Sequence, residues 1–429
     1  MTQFLQDLHE QILDDFNHLK SKYKYSYLEA FLTSFTVGIA ENFFAAFSID
    51  QGMSTLQSGL LLSLPLILAL FSNLIGHILF KNQNLTHQIL RNVYLQAFAL
   101  FGLCLSPFIS YSNSNFMFTT LLLLYSIYWY GHFTSVPSWT KWISEIIDHD
   151  KGSDYFALRT RMTQIGILLG LVLGGFLLHS KFFTIPHQFL FVTLFGLGIL
   201  AQILKINSLK KHQKSNSMIE FSFLKMKKIY SSNKNFFSTY GLFNISLYLS
   251  APYVTGYLIN ERKIDYFQFM IVTAFLFLGK ISMTYILSLK EKQFSPLKMM
   301  AWGGLVAAPL PLAWPFCHSF ESMLLLNFTS GMSWALWDIG LSLTFFKKVS
   351  AEDKIETVSI YNFIGITTQV CGTLIGAFLV KYIYLLNYEK AFVVAGIVRF
   401  ICVLPFQKNN NFFSKIQNEN KKTNLDQAS

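Results

Sequence analysis

The sequence predicts an all-α polytopic membrane protein with twelve transmembrane helices in two pseudo-repeated six-helix bundles. Three observations carry that expectation. Of the 429 residues, 52% are hydrophobic and only 13% charged, whereas a soluble domain carries roughly 25% charge. Apolar runs near 20 residues, long enough to cross about 30 Å of hydrocarbon as a helix, recur about twelve times. Basic residues concentrate in alternate connections between those runs. A soluble protein this apolar could not cover itself with polar surface, so the composition excludes a soluble enzyme, a disordered chain and a disulfide-stapled secreted domain. The four cysteines (Cys104, Cys317, Cys371 and Cys402) lie in or at the ends of apolar runs without metal-site spacing. They read as small buried hydrophobes.

Residues 1–26 are polar and of mixed charge, so no signal peptide is expected there. Phe4, Leu5, Leu8, Ile12, Leu13, Phe16 and Leu19 recur at spacings of three and four. That stripe predicts an amphipathic helix along the membrane interface. The first bundle occupies 27–205, with spans near 27–50, 58–80, 93–111, 115–138, 161–180 and 187–205. A basic linker, 206–235, carries Lys210, Lys211, Lys214, Lys225, Lys227, Lys228 and Lys234 and suits anionic lipid heads. The second bundle occupies 236–407, with spans near 236–259, 266–289, 297–317, 321–346, 358–381 and 389–407; the Asn- and Lys-rich tail 408–429 is expected to be disordered.

With twelve spans, 27 of the 34 Lys and Arg fall on the side of the termini and the linker, and five on the other. Basic loops stay cytoplasmic, so both termini are expected inside, in a bacterial inner membrane. The net charge of +11 is thereby topological, and no nucleic-acid partner is expected. The partners expected are the lipid bilayer, a small-molecule substrate and protons or another coupling ion, with the chain a monomer.

An internal match at an offset of 202 residues aligns Gly170, Gly174 and Gly175 of the fifth span with the Gly372 and Gly376 region of the eleventh. Gly166 extends the first pattern by one step of four. Small residues four apart let membrane helices approach closely. Their recurrence in both halves points to duplication, the layout of a rocker-type transporter.

Ionisable groups near mid-bilayer cost at least about 2.5–3.5 kcal/mol on insertion scales, so each needs a partner or water. The candidates are Glu41, Lys280, Asp338 and Arg399. Lys280 precedes Lys290 by ten residues, and Asp338 precedes Lys347 by nine. At about 1.5 Å per residue both sit roughly 14–15 Å from the basic surface. A Lys280–Asp338 pair is therefore geometrically possible, whether structural or linked to substrate or protons. Glu41 belongs to the outer half of the first span, too far along to meet Lys280. It is held by neighbouring hydroxyls or backbone, or else suited to take up and release a proton. Arg399 lies eight residues from the basic edge and is expected to snorkel toward it. His77, His132, His179 and His318 lie near span ends and read as interfacial. Tyr125, Tyr128, Trp129 and Tyr130, with Trp334 and Trp337, are either packing or the lining of an aromatic cavity.

The segment Pro137-Ser138-Trp139-Thr140-Lys141-Trp142, followed by Tyr155, Phe156, Arg159 and Arg161, resembles the loop between the fourth and fifth helices in a subgroup of the major facilitator superfamily. That subgroup commonly reads P-x-W-x-x-W and then R-G-x-Y-F-G-x-R-x-R. Gly38-Ile39-Ala40-Glu41-Asn42-Phe43 and the run from Gly59 to Pro65 are similar to it as well. The resemblance implies two six-helix bundles with alternating access, and a conformational role for Trp139, Trp142, Arg159 and Arg161. Two departures stand out. The superfamily's loop motif between helices two and three carries an Asp that is absent after Gly76, where only Lys81 and Arg91 remain. In the fifth span Leu171 replaces the proline of proton-coupled exporters, whose glycine pattern is otherwise kept.

No Gly-x4-Gly-Lys-Ser/Thr loop occurs, so ATP hydrolysis is not expected. Nor is any catalytic centre, cofactor or metal. The function predicted is secondary active transport of a small solute, proton-coupled, with a slight lean to export. The rival is a transporter-like receptor, scaffold or assembly factor that moves nothing.

Overall fold

The computed structural model describes residues 23–53, 83–109, 114–147, 152–178, 186–212, 222–254, 257–264, 266–289, 295–379 and 388–408, together with isolated positions between 57 and 71 and between 215 and 218. The N-terminal stripe, most of the 58–80 span, His77, His179 and the tail beyond Lys408 lie outside the described residues. Among the described residues every regular element is helical, with one isolated bridge between Asn84 and Met218.

The chain divides into two compact units. In the first, α1 (Lys24–Ile39) is followed by a 3-10 turn over Glu41–Phe43 and by α2 (Phe44–Asp50). Then come α3 (Leu85–Leu105), α4 (Ser114–Ile146), α5 (Gly152–Leu178) and α6 (His187–Lys211). In the second unit are α7 (Phe223–Ser232), α8 (Lys234–Tyr248), α9 (Tyr266–Leu289), α10 (Pro296–Ala307), the short α11 (Leu310–Ala313), α12 (Phe320–Lys348), α13 (Lys354–Phe378) and α14 (Tyr388–Lys408).

Among the described residues seven segments are both long and apolar enough to cross a membrane: 24–50, 85–108, 154–178, 188–211, 268–287, 296–316 and 351–376. The 33 residues of α4 reach about 50 Å at 1.5 Å each, but Ser, Thr, Tyr and Trp dilute their hydropathy. The seventh span is broken: α8 ends at Tyr248, a 3-10 turn covers Ala251–Tyr253 and a π-helical turn covers Tyr257–Glu261.

Two boundaries differ from the sequence reading. The charged connection expected over 139–160 is largely helical, because α4 runs to Ile146 and α5 begins at Gly152. Trp139, Trp142, Arg159 and Arg161 therefore stand on helices. The expected linker is half helical as well, since α6 continues to Lys211 and α7 fills 223–232. The Ser222 hydroxyl accepts from the Lys225 N–H at 3.4 Å and caps α7.

α5 belongs to the first unit from Leu158 on, its start through Ala157 to the second. In the first unit α6 packs on α1 and α3, and α3 on α4. Its core is aromatic: Phe44, Phe47, Tyr125, Tyr128, Phe191 and Phe195 are all buried. In the second unit α12 packs on α9 and α10, and α8 on α13 and α14. Large apolar side chains such as Phe98, Phe116, Leu123, Phe176, Leu200, Leu374, Phe378 and Ile401 remain exposed. In a bilayer these faces meet lipid, which is why helices of this composition need no polar face. Cys371 belongs to such a face and is exposed, correcting the expectation of burial; Cys402 is half-buried.

The glycines hold each broken span against its partner. A Cβ on Gly170 would stand 2.6 Å from the Phe35 carbonyl oxygen, one on Gly372 2.7 Å from that of Ile245, and one on Gly376 2.6 Å from that of Leu249. Gly166 meets the Phe31 carbonyl and Gly174 the Phe43 ring. Gly175 is half-buried. Phe43 over Gly174 matches Tyr253 over Gly376, so each unit builds the same contact beside the same break.

Candidate functional site

The backbone leaves helical geometry at Ala40 (φ −121°, ψ −58°), one residue before Glu41. A break frees carbonyls and N–H groups that a continuous helix would use. Here it turns the Glu41 side chain toward α4, where the Tyr128 hydroxyl donates to Glu41 Oε2 at 3.0 Å. Among the described residues no ion pair reaches this carboxylate. Aromatic rings wall the place. Phe44 stacks on Tyr125 at 4.5 Å and meets Tyr128 edge-on at 5.2 Å, while the Tyr125 hydroxyl donates to the Phe44 carbonyl at 2.9 Å. Tyr128 leads on to Trp129 (5.9 Å), which packs on His132 and Phe133. His132 is thus part of an aromatic cluster within α4, not an interfacial residue. The Trp129 indole N–H is buried with no hydrogen-bond partner among the described residues.

Two residues singled out by sequence, Arg159 and Trp139, meet near the start of α1, at the acid Glu29. Glu29 Oε2 accepts from Arg159 at 2.7 Å, and Lys205 Nζ lies 4.0 Å from Oε1. Arg159 also donates to the Ser26 carbonyl at 2.7 Å and lies 3.9 Å over the Trp139 ring. Thr33 donates to Glu29 at 2.9 Å. Trp142 is buried and packs on His212 at 4.8 Å, and Arg161 is buried. The signal for Glu29 was present in the chain: an acid a few residues into an apolar span must find cations.

In the second unit Lys280 on α9 and Asp338 on α12 meet at 3.0 Å, with the side chains 17% and 44% accessible. Tyr240 and Tyr361 stack at 4.2 Å, and Phe243 stacks on Trp337 at 4.8 Å. Asn244 donates to the Gly365 carbonyl and to Thr368 Oγ1, both at 2.8 Å. The Asp338 carboxylate is therefore not sealed in a core.

Arg399 departs from expectation. It is only 5% exposed and does not snorkel to the edge. Its guanidinium turns to the broken end of α8, donating to the Leu247 carbonyl at 3.1 Å and the Ser250 hydroxyl at 3.0 Å. A cation there answers the unsatisfied carbonyls and the negative end of the helix dipole. No group of three or more His, Cys, Asp or Glu suited to a metal occurs among the described residues.

No family model matches this chain, and no curated protein matches it in sequence. Solved structures do match in fold. A bacterial homologue of the iron transporter ferroportin, in an outward-facing state, superposes with a TM-score of 0.68 at 12% identity, covering 91% of this chain and 100% of that one. The major facilitator superfamily proton:xylose symporter XylE, bound to 6-bromo-6-deoxy-D-glucose, gives 0.67 at 12% identity, covering 92% and 96%. The human organic anion transporter MFSD10 (TETRAN) gives 0.63 at 13% identity, covering 89% and 98%. At such identities the likeness establishes the architecture: a polytopic membrane protein with the twelve-helix, two-bundle major facilitator fold.

Proposed function

From the major facilitator fold as premise, we propose that this chain is a secondary transporter that moves a small solute by alternating access, coupled to protons. The observation that carries the reading is Glu41. It is a carboxylate at a break in a membrane helix, hydrogen-bonded by Tyr128 and met by no ion pair among the described residues. Broken helices carrying ion and substrate groups are a device of secondary transporters. Such a group is retained at a cost, which a proton-carrying role explains. The Lys280–Asp338 pair is assigned to substrate or ion linkage in the second unit, since 44% of the Asp338 side chain stays accessible. Trp139, Trp142, Arg159 and Arg161 are assigned to conformational control, Arg159 through its ion pair with Glu29. The glycine run Gly166, Gly170, Gly174 tilts the direction toward export.

The proposed placement puts both termini and the linker in the cytoplasm of a bacterium, with bundles over 27–205 and 236–407, as the basic asymmetry supports. The chain works as a monomer in this reading.

The test uses proteoliposomes with an imposed pH gradient and a panel of solutes. Glu41→Gln keeps size and hydrogen bonding but cannot ionise, so it should fold normally and lose concentrative transport. Only differential affinity between two states can drive accumulation, whereas gradient-free exchange needs no net proton movement and should survive. Undiminished concentrative transport by the variant would remove Glu41 from the coupling role. A wild type that moves no solute under any gradient would leave the scaffold reading in its place.

A further inference from the structure

We propose that the groove between α7 and α13 binds one anionic glycerophospholipid, its phosphate on Lys227 and an acyl chain along α13. This inference rests on the membrane fold alone and does not depend on what the chain transports.

A cleft of about 360 Å3 lies between these two helices, lined by Phe223, Met226, Lys227, Tyr230, Ile360, Phe363 and Ile364. Ligand sites run from roughly 300 to 1,000 Å3 and are mainly apolar with a few placed polar groups. Six of the seven lining residues are apolar or aromatic, and the seventh is a cation. Ile360, Phe363 and Ile364 lie six to ten residues past Lys354, so the cleft floor runs about 9–15 Å along α13 from its start. An ammonium at one level and an apolar floor descending from it match a phosphate with an acyl chain below.

α7 is positioned by contacts that leave Lys227 exposed. Lys225 Nζ lies 3.2 Å from Asp353 and 3.9 Å from Glu356 and donates to the Glu352 carbonyl at 2.5 Å. The Ser222 N–H donates to Glu356 at 3.3 Å, and Ile229 is buried. These contacts engage the acids at the head of α13 with Lys225. Lys227 is exposed and forms no ion pair among the described residues. Leu224, next to the cleft, is 82% exposed and Phe223 51%, a face suited to lipid and not to water. Lys228 on α7 and Lys234 at the start of α8 are exposed as well, so the local field favours an anionic headgroup over a zwitterionic one.

The experiment titrates the purified full-length chain in detergent with dioleoylphosphatidylglycerol or dioleoylphosphatidylcholine and counts retained lipid by native mass spectrometry. The wild type should retain the anionic lipid preferentially. Lys227→Gln should lower that retention about fivefold, the worth of one basic residue at an anionic surface, and leave the zwitterionic lipid unchanged. Ile364→Trp, which fills the cleft floor, should lower retention of both. Lys227 is exposed, so its loss leaves folding intact. Equal retention of the two lipids by the wild type overturns the proposal, as does retention unchanged in both variants. A photo-crosslinker at position 230 should capture lipid; capture of residues 409–429 or of a second copy of the chain overturns the proposal too.

Discussion

Replacing both members of the Lys280–Asp338 pair should restore much of what each single replacement loses. At 3.0 Å, two unit charges in an effective dielectric of about 20 attract by about 5.5 kcal/mol, before desolvation is subtracted. Exposed pairs contribute at most about 1 kcal/mol, whereas breaking a buried pair costs about 3–5 kcal/mol because a charge is stranded. Lys280 is the more enclosed member, at 17% accessible against 44% for Asp338, so the losses should be unequal. Asp338→Asn strands the enclosed ammonium and should cost about 3 kcal/mol. Lys280→Met strands a carboxylate that still reaches water, at about 2 kcal/mol. The double variant removes both charges, and the coupling between the two sites should be about 2 kcal/mol. Thermal unfolding of the purified protein in one detergent, for wild type and three variants, measures the cycle. Strict additivity within about 0.5 kcal/mol would refute the reasoning. A coupling of about 2 kcal/mol in stability together with transport lost in every variant would place the pair in function as well as in structure.

Glu29→Gln should lower stability by about 3 kcal/mol, because Arg159 and Lys205 then share a largely buried site without their acid; thermal unfolding checks it, and an unchanged midpoint would count against the cluster. Gly170→Leu should leave almost no folded protein by size-exclusion chromatography, since even a Cβ would approach the Phe35 carbonyl to 2.6 Å. Single cysteines at positions 216 and 112 should react with an impermeant thiol reagent from opposite sides of the membrane. Labelling of both from one side would refute the twelve-span topology.

Hydropathy made the helices legible because each must close its own backbone hydrogen bonds in lipid and needs about 20 apolar residues to do so. The depth match between Lys280 and Asp338 was legible for the same reason, as a straight helix converts residue count into distance. What hydropathy cannot separate is a side chain facing lipid from one facing protein, so the exposure of Cys371 was not visible. Nor was the break at Ala40, since Gly38, Ile39 and Ala40 read as an unbroken apolar run. Span ends assigned where apolar character stops fall short where a helix continues into charged residues, as α5 does through Arg159 and Arg161. The inward aim of Arg399 depends on the broken end of α8, which is itself a tertiary feature.

The two breaks show how one duplicated device diverged. Glu41–Phe43 and Ala251–Tyr253 are 3-10 turns at matching places, each beside a glycine-lined approach from the fifth or eleventh span. At the first break α6 presents Gly198, where a Cβ would stand 3.2 Å from the Ala40 Cβ. At the second, α14 presents Arg399, whose guanidinium reaches the Leu247 carbonyl and Ser250. A cation that satisfies free carbonyls stabilises the break it caps, so the second unit holds its irregular backbone with a fixed charge of its own. Among the described residues the first unit shows no such cap at its break. It packs a glycine flush against the break and leaves an acid, Glu41, with a tyrosine hydroxyl as its hydrogen-bond donor. One copy thus spends its ionisable group on holding the backbone, and the other keeps an ionisable group that no ion pair meets among the described residues. That asymmetry is the physical reason to seek proton coupling at Glu41 and to expect Arg399 variants to lose stability before they lose coupling.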